Sequence, residues 1–176
     1  MKIEANLYEG ANFCLRCGAK LEIKKDRENK LRPICPVCGW TMYLNPIPAA
    51  VCVIPNDERE ICLIKRKFAP NPGAWALPSG YIEINQTPAQ AAVEEMKEET
   101  NLTGQAGEYL GYFVGPSPIY HRIFSFGYVM KNLTGKPKAG DDAVDIKFVS
   151  LETDFSFIPF SSHRYFLKRY KLKYCL

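Results

Sequence analysis

The pattern of apolar and polar positions predicts a chain built from both strands and helices. Two short apolar runs, at 49–55 and 60–67, flank a turn at Asn56-Asp57 and predict a pair of strands. Further runs rich in aromatic and β-branched residues follow at 107–114, 119–130 and 144–152. With the two helices described next, these strands indicate an α+β domain, in which a mixed β-sheet is packed between helices.

A helix is predicted at about 88–100. Thr87 is a favourable N-cap, and Pro88 fits the first helical position. Apolar residues recur at helical spacing and predict the buried face, which consists of Ala89, Ala92, Val93 and Met96. Asn101 tolerates the left-handed conformation that often follows a helix. A second helix is predicted from about residue 162 to residue 174.

Three acidic residues of the first helix are expected to share one face, distinct from the apolar one. Glu95, Glu98 and Glu99 stand at i, i+3 and i+4, so their side chains are neighbours. A solvated acidic face is the plain interpretation of such a group. The alternative is a metal site, because grouped carboxylates are the ligands that Mg²⁺ or Mn²⁺ prefers and these ions also bind phosphates.

The cysteines near the N-terminus predict a second kind of metal site. Two Cys-x-x-Cys pairs, each followed by glycine, have the spacing of a zinc ribbon and consist of Cys14, Cys17, Cys35 and Cys38. Four thiolates complete the tetrahedral coordination of Zn²⁺, so the ion is expected to be structural; a redox role is the weaker alternative. We predict a zinc ribbon at 1–45, with a hairpin turning at 26–29. The proline-containing segment 45–48 then leads into a main domain at 46–176.

Charge and hydrophobicity restrict the compartment and the partners. The chain shows no signal peptide and no apolar run of membrane-spanning length, so the expected location is the cytoplasm, without membrane contact. From Ser161 onward there are five Lys or Arg residues and no acid. Cations near a helix C-terminus are favoured by the helix dipole, which makes nucleic acid the less favoured explanation of this tail.

The residues around the acidic helix resemble the box of the Nudix hydrolases, Gly-x5-Glu-x7-Arg-Glu-U-x-Glu-Glu-x-Gly-U, where U is a bulky aliphatic residue. The matching positions are Gly80, Glu95, Met96, Glu98, Glu99 and Leu102. Three positions depart from the box: Gln86 replaces its first glutamate, Glu94 its arginine and Asn101 its glycine. With a zinc ribbon ahead of it, the chain resembles the subgroup that includes ADP-ribose and NADH pyrophosphatase-like enzymes.

This resemblance implies a function and a set of site residues. Glu95, Glu98 and Glu99 are expected to bind Mg²⁺ or Mn²⁺ and to carry catalysis, while Gly80 and Asp142 are expected to bind substrate. From its charge alone, Arg66 is expected to meet the substrate phosphates. A charged strand end for Arg66 and a solvated turn for Asp142 are the alternatives. The implied reaction is cleavage of the diphosphate bond in a nucleoside diphosphate linked to another moiety, such as ADP-ribose or NADH. The substrate is then a small nucleotide, and a homodimer is the implied assembly.

The departures from the box leave a second hypothesis open. Gln86 and Glu94 remove a cation and add an acid beside the metal-binding carboxylates, which is expected to weaken metal binding or slow catalysis. A catalytically weakened Nudix domain would instead sense a nucleotide, or bind nucleic acid or a protein partner.

Overall fold

The computed structural model of the protein describes residues 10–140 and 142–174. Residue contacts divide the chain into two compact units, Met1–Asn45 and Pro46–Leu176. Within the described ranges, no helix has the length and apolar character needed to cross a membrane.

The first unit is built around a two-stranded antiparallel hairpin, β1 (Glu22–Lys25) and β2 (Leu31–Ile34). The carboxylate of Asp26 orders the turn between them, because its Oδ1 accepts hydrogen bonds from the backbone N–H groups of Glu28 (2.8 Å) and Lys30 (2.9 Å). The hairpin predicted between the cysteine pairs is therefore present.

Among its described residues, the second unit contains two β-sheets, two α-helices and a short 3-10 helix at Phe155–Phe157. Its strands are β3 (Ile47–Val53), β4 (Glu60–Arg66), β5 (Trp75–Ala76), β6 (Ser79–Tyr81), β7 (Thr103–Ser117), β8 (His121–Thr134) and β9 (Ala143–Ser150). One sheet has the order β6-β3-β8-β7 and is mixed, since β3 runs parallel to β8 and antiparallel to β6. The other sheet, β5-β4-β9, is antiparallel. The helices are α1 (Pro88–Thr100) and α2 (Ser161–Tyr174).

These elements confirm the predicted α+β class, with a mixed sheet packed against helices. Two details differ from the prediction. There are two sheets in this unit rather than one, and the β7–β8 hairpin is longer than its apolar runs. Pairing continues to Thr103 and Thr134, whose hydroxyl oxygens lie 2.7 Å apart, because backbone hydrogen bonds extend a strand pair beyond its apolar positions.

The core explains why β3 is apolar at nearly every position. Alternate residues of a strand face opposite sides of the sheet. Val51 and Val53 join the buried cluster that includes residues of α2, whereas Ala50 and Cys52 join the cluster that includes residues of α1. β3 is therefore covered on both faces, and this position in the centre of the unit places the neighbouring β6 beside α1.

Candidate functional site

A cleft of about 990 Å³ lies in the second unit and collects the side chains predicted to act there. Its lining includes Glu95, Glu98, Glu99, Arg66, Gly80 and Asp142, which come from α1, β4, β6 and the segment before β9. Residues separated by up to 76 positions in the sequence therefore meet around one opening.

The ends of α1 are set by local sequence, and this fixes which side chains the helix presents to the cleft. Thr87 and Gln90 form a capping box, in which the Thr87 Oγ1 accepts from the Gln90 N–H (3.3 Å) and the Gln90 Oε1 accepts from the Thr87 N–H (2.8 Å). Asn101 ends the helix in the left-handed conformation, with φ at 58°. Both predicted ends of the helix are confirmed.

The apolar face of α1 differs in part from the predicted stripe. Ala92 and Met96 are fully buried, but Ala91 rather than Ala89 completes the buried face. Glu99 is buried as well, with 4% of its surface exposed, whereas Glu98 is exposed and Glu95 is half-buried. The expectation that all three glutamates lie away from the apolar face is therefore wrong for Glu99. Because it follows Met96 by three positions, its side chain neighbours that residue on the helix surface.

Glu99 is held by the backbone at the start of β6. The Ser79 N–H donates to its Oε2 at 2.8 Å. Burial, together with the nearby carboxylates of Glu95 and Asp142, nevertheless raises the pKa of Glu99 to about 8, although the Ser79 N–H and the Arg66 guanidinium act in the opposite direction. A cation bound between these carboxylates would relieve the same repulsion.

The raised pKa of Glu99 predicts how stability responds to pH in the absence of a divalent cation. Between the ordinary value of 4.5 and about 8, the folded chain binds more protons at this site than the unfolded chain. The stability that protonated Glu99 contributes is therefore expected to be lost as pH rises through this range, whereas the buried imidazole of His163 acts in the opposite direction below its ordinary pKa of 6.5. Thermal melting from about pH 7 to about pH 8, without added Mg²⁺ or Mn²⁺, measures the Glu99 effect above the range in which His163 acts. In Glu99→Gln the decline should be shallower; identical pH dependence in both proteins would contradict this assignment.

Gly80 leaves room for the carboxylate of Glu95. A Cβ atom built at residue 80 would overlap the carboxyl group of Glu95. Gly80 thus allows a metal-binding candidate to lie directly against β6, and its contact with substrate stays a prediction.

Gly80→Ala is expected to leave the fold nearly unchanged but to displace Glu95. The overlapping atoms belong to the end of a flexible side chain, so the Glu95 carboxylate can move away without a backbone shift. We expect a small change in melting temperature together with a clear loss of divalent-metal affinity, measured by calorimetric Mn²⁺ titration. Gly111→Ala, in β7 and outside the cleft lining, with φ at 99° and open space around the added Cβ, is the control for glycine loss alone. Wild-type Mn²⁺ affinity in Gly80→Ala would contradict the role assigned to this residue.

Arg66 orders the loop between β4 and β5. Its Nε donates to the Pro70 carbonyl at 3.0 Å and its Nη2 to the Ala69 carbonyl at 3.4 Å, while its guanidinium lies 5.4 Å from the centre of the Phe160 ring. The residue predicted to bind substrate therefore shapes one wall of the cleft and also brings positive charge near Glu99.

Two of the departures from the box, Gln86 and Glu94, contact each other. The Gln86 amide donates to the Glu94 carboxylate, and the Gln86 Oε1 accepts from the Glu83 N–H at 3.0 Å. All three residues line the cleft. Asp142 also lines it and is exposed, and its backbone carbonyl accepts from the Lys67 N–H at 2.8 Å. The cleft is thus strongly acidic, with Arg66 and Lys67 as its lining cations.

His163 is a cleft residue to which the sequence interpretation gave no role. It is buried in the first turn of α2, where its Nδ1 accepts from the Leu77 N–H at 3.1 Å and its Nε2 lies 3.5 Å from the Ser79 Oγ. Burial lowers the pKa of His163 to about 3, with Arg66 and Arg164 acting in the same direction, so the imidazole is neutral. A histidine three, four and seven positions before Phe166, Leu167 and Tyr170 indicates an inward position, which is the signal available in the sequence.

The four paired cysteines of the first unit converge on one point. Their sulfur atoms all lie within 4.8 Å of one another, with 3.6 Å between Cys14 and Cys38 and 3.5 Å between Cys17 and Cys35. The cysteines are free, and such distances exceed a disulfide bond length of about 2.05 Å. In the described ranges, no other group of three or more His, Cys, Asp or Glu side chains has its ligand atoms this close together, so Glu95, Glu98 and Glu99 do not form a closed cage.

Known proteins with a similar sequence or structure agree with the fold. A family model described as the NUDIX domain matches residues 45–165. An ADP-ribose pyrophosphatase of Methanocaldococcus jannaschii is 38% identical over 114 residues, which are 64% of this chain and 66% of that protein. The NAD-capped RNA hydrolase NudC of Pseudomonas aeruginosa is 24% identical over 141 residues, which are 80% of this chain and 48% of NudC. The matches thus span slightly under two thirds of the first relative and about half of the second.

A solved structure extends this likeness to nearly the whole chain. The crystal structure of a NUDIX hydrolase from Nitrosomonas europaea superposes with a TM-score of 0.75 at 28% identity, covering 93% of this chain and 92% of the other.

Proposed function

Since the chain belongs to the NUDIX domain family, we propose that it hydrolyses the diphosphate bond of a nucleoside diphosphate linked to another moiety, such as ADP-ribose or NADH, with Mg²⁺ or Mn²⁺. The observation that carries this proposal is the convergence of the three α1 glutamates with Arg66, Gly80 and Asp142 around one cleft. The printed activities of the two relatives, ADP-ribose pyrophosphatase and NAD-capped RNA hydrolase, support the same class of substrate.

The chemistry of the lining residues fits a divalent cation. Carboxylate oxygens are the ligands of choice for Mg²⁺ and Mn²⁺, and Mg²⁺ is usually held by one or two carboxylates together with waters and substrate phosphates. An open group of glutamates, rather than a closed cage, suits such a site. When bound, the ion would polarise a phosphoryl oxygen and lower the pKa of a water molecule.

The side chains around the cleft have separate tasks in this proposal. Glu95, Glu98 and Glu99 hold the cation, and one of the two buried or half-buried carboxylates, Glu99 or Glu95, also accepts a proton from the attacking water. Glu99 is aligned by the Ser79 N–H, and Glu95 by its contact with Gly80. Arg66 and Lys67 offset the negative charge of the substrate.

We propose that Gln86 and Glu94 tune this activity without abolishing it. Their side chains still contact each other, so the loop before α1 stays connected to the helix. The Glu94 carboxylate adds negative charge to the cleft. This added charge is expected to slow catalysis at saturating metal.

The first unit completes the proposal as a structural zinc site. Four convergent, free cysteines are the ligand set that Zn²⁺ prefers. The homodimer and the cytoplasmic location stay predictions.

A substrate panel tests the proposed function. ADP-ribose, NADH and NAD-capped RNA are each incubated with the full chain and either Mg²⁺ or Mn²⁺, and the released mononucleotide is separated by chromatography. We expect AMP from ADP-ribose or NADH with at least one of the two ions. No turnover of any substrate with either ion would overturn the proposal. Tight nucleotide binding without turnover would favour the nucleotide-sensing alternative, as would activity gained only after Gln86→Glu and Glu94→Arg are combined.

A further inference from the structure

We propose that His163 is a positioning residue that aligns Glu99 through the segment between β5 and β6. This inference rests on the proposed function, because it assigns a purpose to a residue that lies outside the predicted metal ligands.

The connection runs through three hydrogen-bonding steps. His163 accepts the Leu77 N–H at its Nδ1, and its Nε2 faces the Ser79 Oγ at 3.5 Å. Ser79 in turn donates its own N–H to the Glu99 Oε2 at 2.8 Å. The imidazole of His163 therefore contacts both Leu77 and Ser79, and Ser79 holds the carboxylate of Glu99.

The segment needs such support because it crosses between the two sheets. Trp75–Ala76 pairs with β4 in one sheet, and Ser79–Tyr81 pairs with β3 in the other. Leu77 lies in the crossing, where its N–H must find a partner outside the strand ladders. His163 supplies that partner from α2, 86 positions later in the chain.

A neutral imidazole suits both contacts at once. Because Nδ1 accepts a hydrogen bond from a backbone donor, the ring proton lies on Nε2, which can then donate to the Ser79 hydroxyl oxygen. The ring is also packed against Phe160, with 4.9 Å between ring centres, so its orientation is fixed by packing as well as by hydrogen bonds. A leucine of similar size keeps the packing but offers neither contact.

The test measures Mn²⁺ binding to the zinc-loaded full chain by calorimetry, without substrate, and then kcat and KM at saturating metal. For His163→Leu we expect Mn²⁺ affinity to fall by about tenfold, the lower end of the range seen when a partner that orients a metal ligand is lost. kcat should fall as well, with little change in KM for ADP-ribose. His163→Asn is expected to recover part of the Mn²⁺ affinity and part of kcat, because the asparagine Oδ1 can accept a hydrogen bond from the Leu77 N–H. Tyr170→Leu, a buried change elsewhere on α2, is expected to lower the melting temperature alone.

Wild-type Mn²⁺ affinity in His163→Leu, or an equal loss in Tyr170→Leu, would overturn the inference. If the leucine variant does not fold, the imidazole nitrogen resonances of the wild-type protein decide the question. They are expected to shift when Mg²⁺ is added, and unchanged resonances in a protein that binds Mg²⁺ would overturn the inference. Neither metal binding nor these resonances require turnover, so failure of the proposed function is recognised separately, by a wild-type protein that binds metal but hydrolyses none of the panel.

Discussion

Glu98→Gln is expected to lower kcat by about 10³-fold, with the protein still folded. Metal-assisted charge stabilisation supplies several kcal/mol to the transition state, and each 1.36 kcal/mol corresponds to about a tenfold change in rate, so a loss of ~4 kcal/mol gives this effect. Glu98 is the most informative of the three glutamates because it is exposed. Its replacement by the isosteric amide removes charge without disturbing the buried packing around Glu99.

Glu94→Gln is the matched control for this experiment. Glu94 is also an exposed acid of α1 that lines the cleft, but it contacts Gln86 and is not among the proposed metal ligands. Its replacement removes the same charge one turn earlier and is expected to leave kcat similar or somewhat higher. Steady-state hydrolysis of ADP-ribose at saturating metal measures both variants. A comparable loss of kcat in both variants would show that Glu98 contributes through the overall negative charge of the cleft rather than by coordinating the metal.

Cys35→Ser is expected to abolish stoichiometric zinc binding and to unfold the first unit. Cys14 and Cys35 are buried there, and its buried cluster otherwise contains only Leu21, with Ala19, Cys38 and Trp40 packed against it, among the described residues. Such a small core contributes little stability, whereas zinc binding to small Cys-rich units supplies about 10–16 kcal/mol. The second unit has its own core and should remain folded.

Metal analysis and limited proteolysis measure this outcome. The wild-type protein should carry one zinc ion per chain and resist cleavage within the first unit, while Cys35→Ser should carry none and be cleaved there. Cys62→Ala is the control, because Cys62 is a buried cysteine of the second unit and its loss should leave the zinc content unchanged. Full zinc occupancy in Cys35→Ser, or a zinc-free wild-type protein, would contradict the assignment.

Features determined by neighbouring residues were predictable from the sequence. The ends of α1 are set by local capping at Thr87, Pro88 and Asn101. The helix could therefore be predicted from the types of these residues. The zinc-ribbon spacing likewise predicted the convergence of the cysteines. Family membership confirmed the resemblance suggested by the acidic helix, and it could be recognised because the box is a contiguous segment.

Features determined by distant contacts were not predictable in the same way. Glu99 accepts its hydrogen bond from Ser79, which lies 20 positions earlier, and the contacts of His163 span 84 and 86 positions. Gly80 and Arg66 line the cleft, but the sequence did not predict that Gly80 accommodates Glu95 or that Arg66 donates a hydrogen bond to the loop carbonyl of Pro70. Sequence patterns identify residue types that suit a site, whereas the partners of each side chain follow from tertiary packing.

The activity proposed for the acidic cleft is cleavage of a nucleoside diphosphate derivative with a divalent cation. Its most direct test follows AMP release from ADP-ribose by the zinc-loaded full chain while Mg²⁺ or Mn²⁺ is titrated from zero, with Glu98→Gln in parallel. We predict no release without added metal, saturable release as metal is added, and almost none from Glu98→Gln. Release that is independent of both the added metal and Glu98, or no release under any condition, would contradict it.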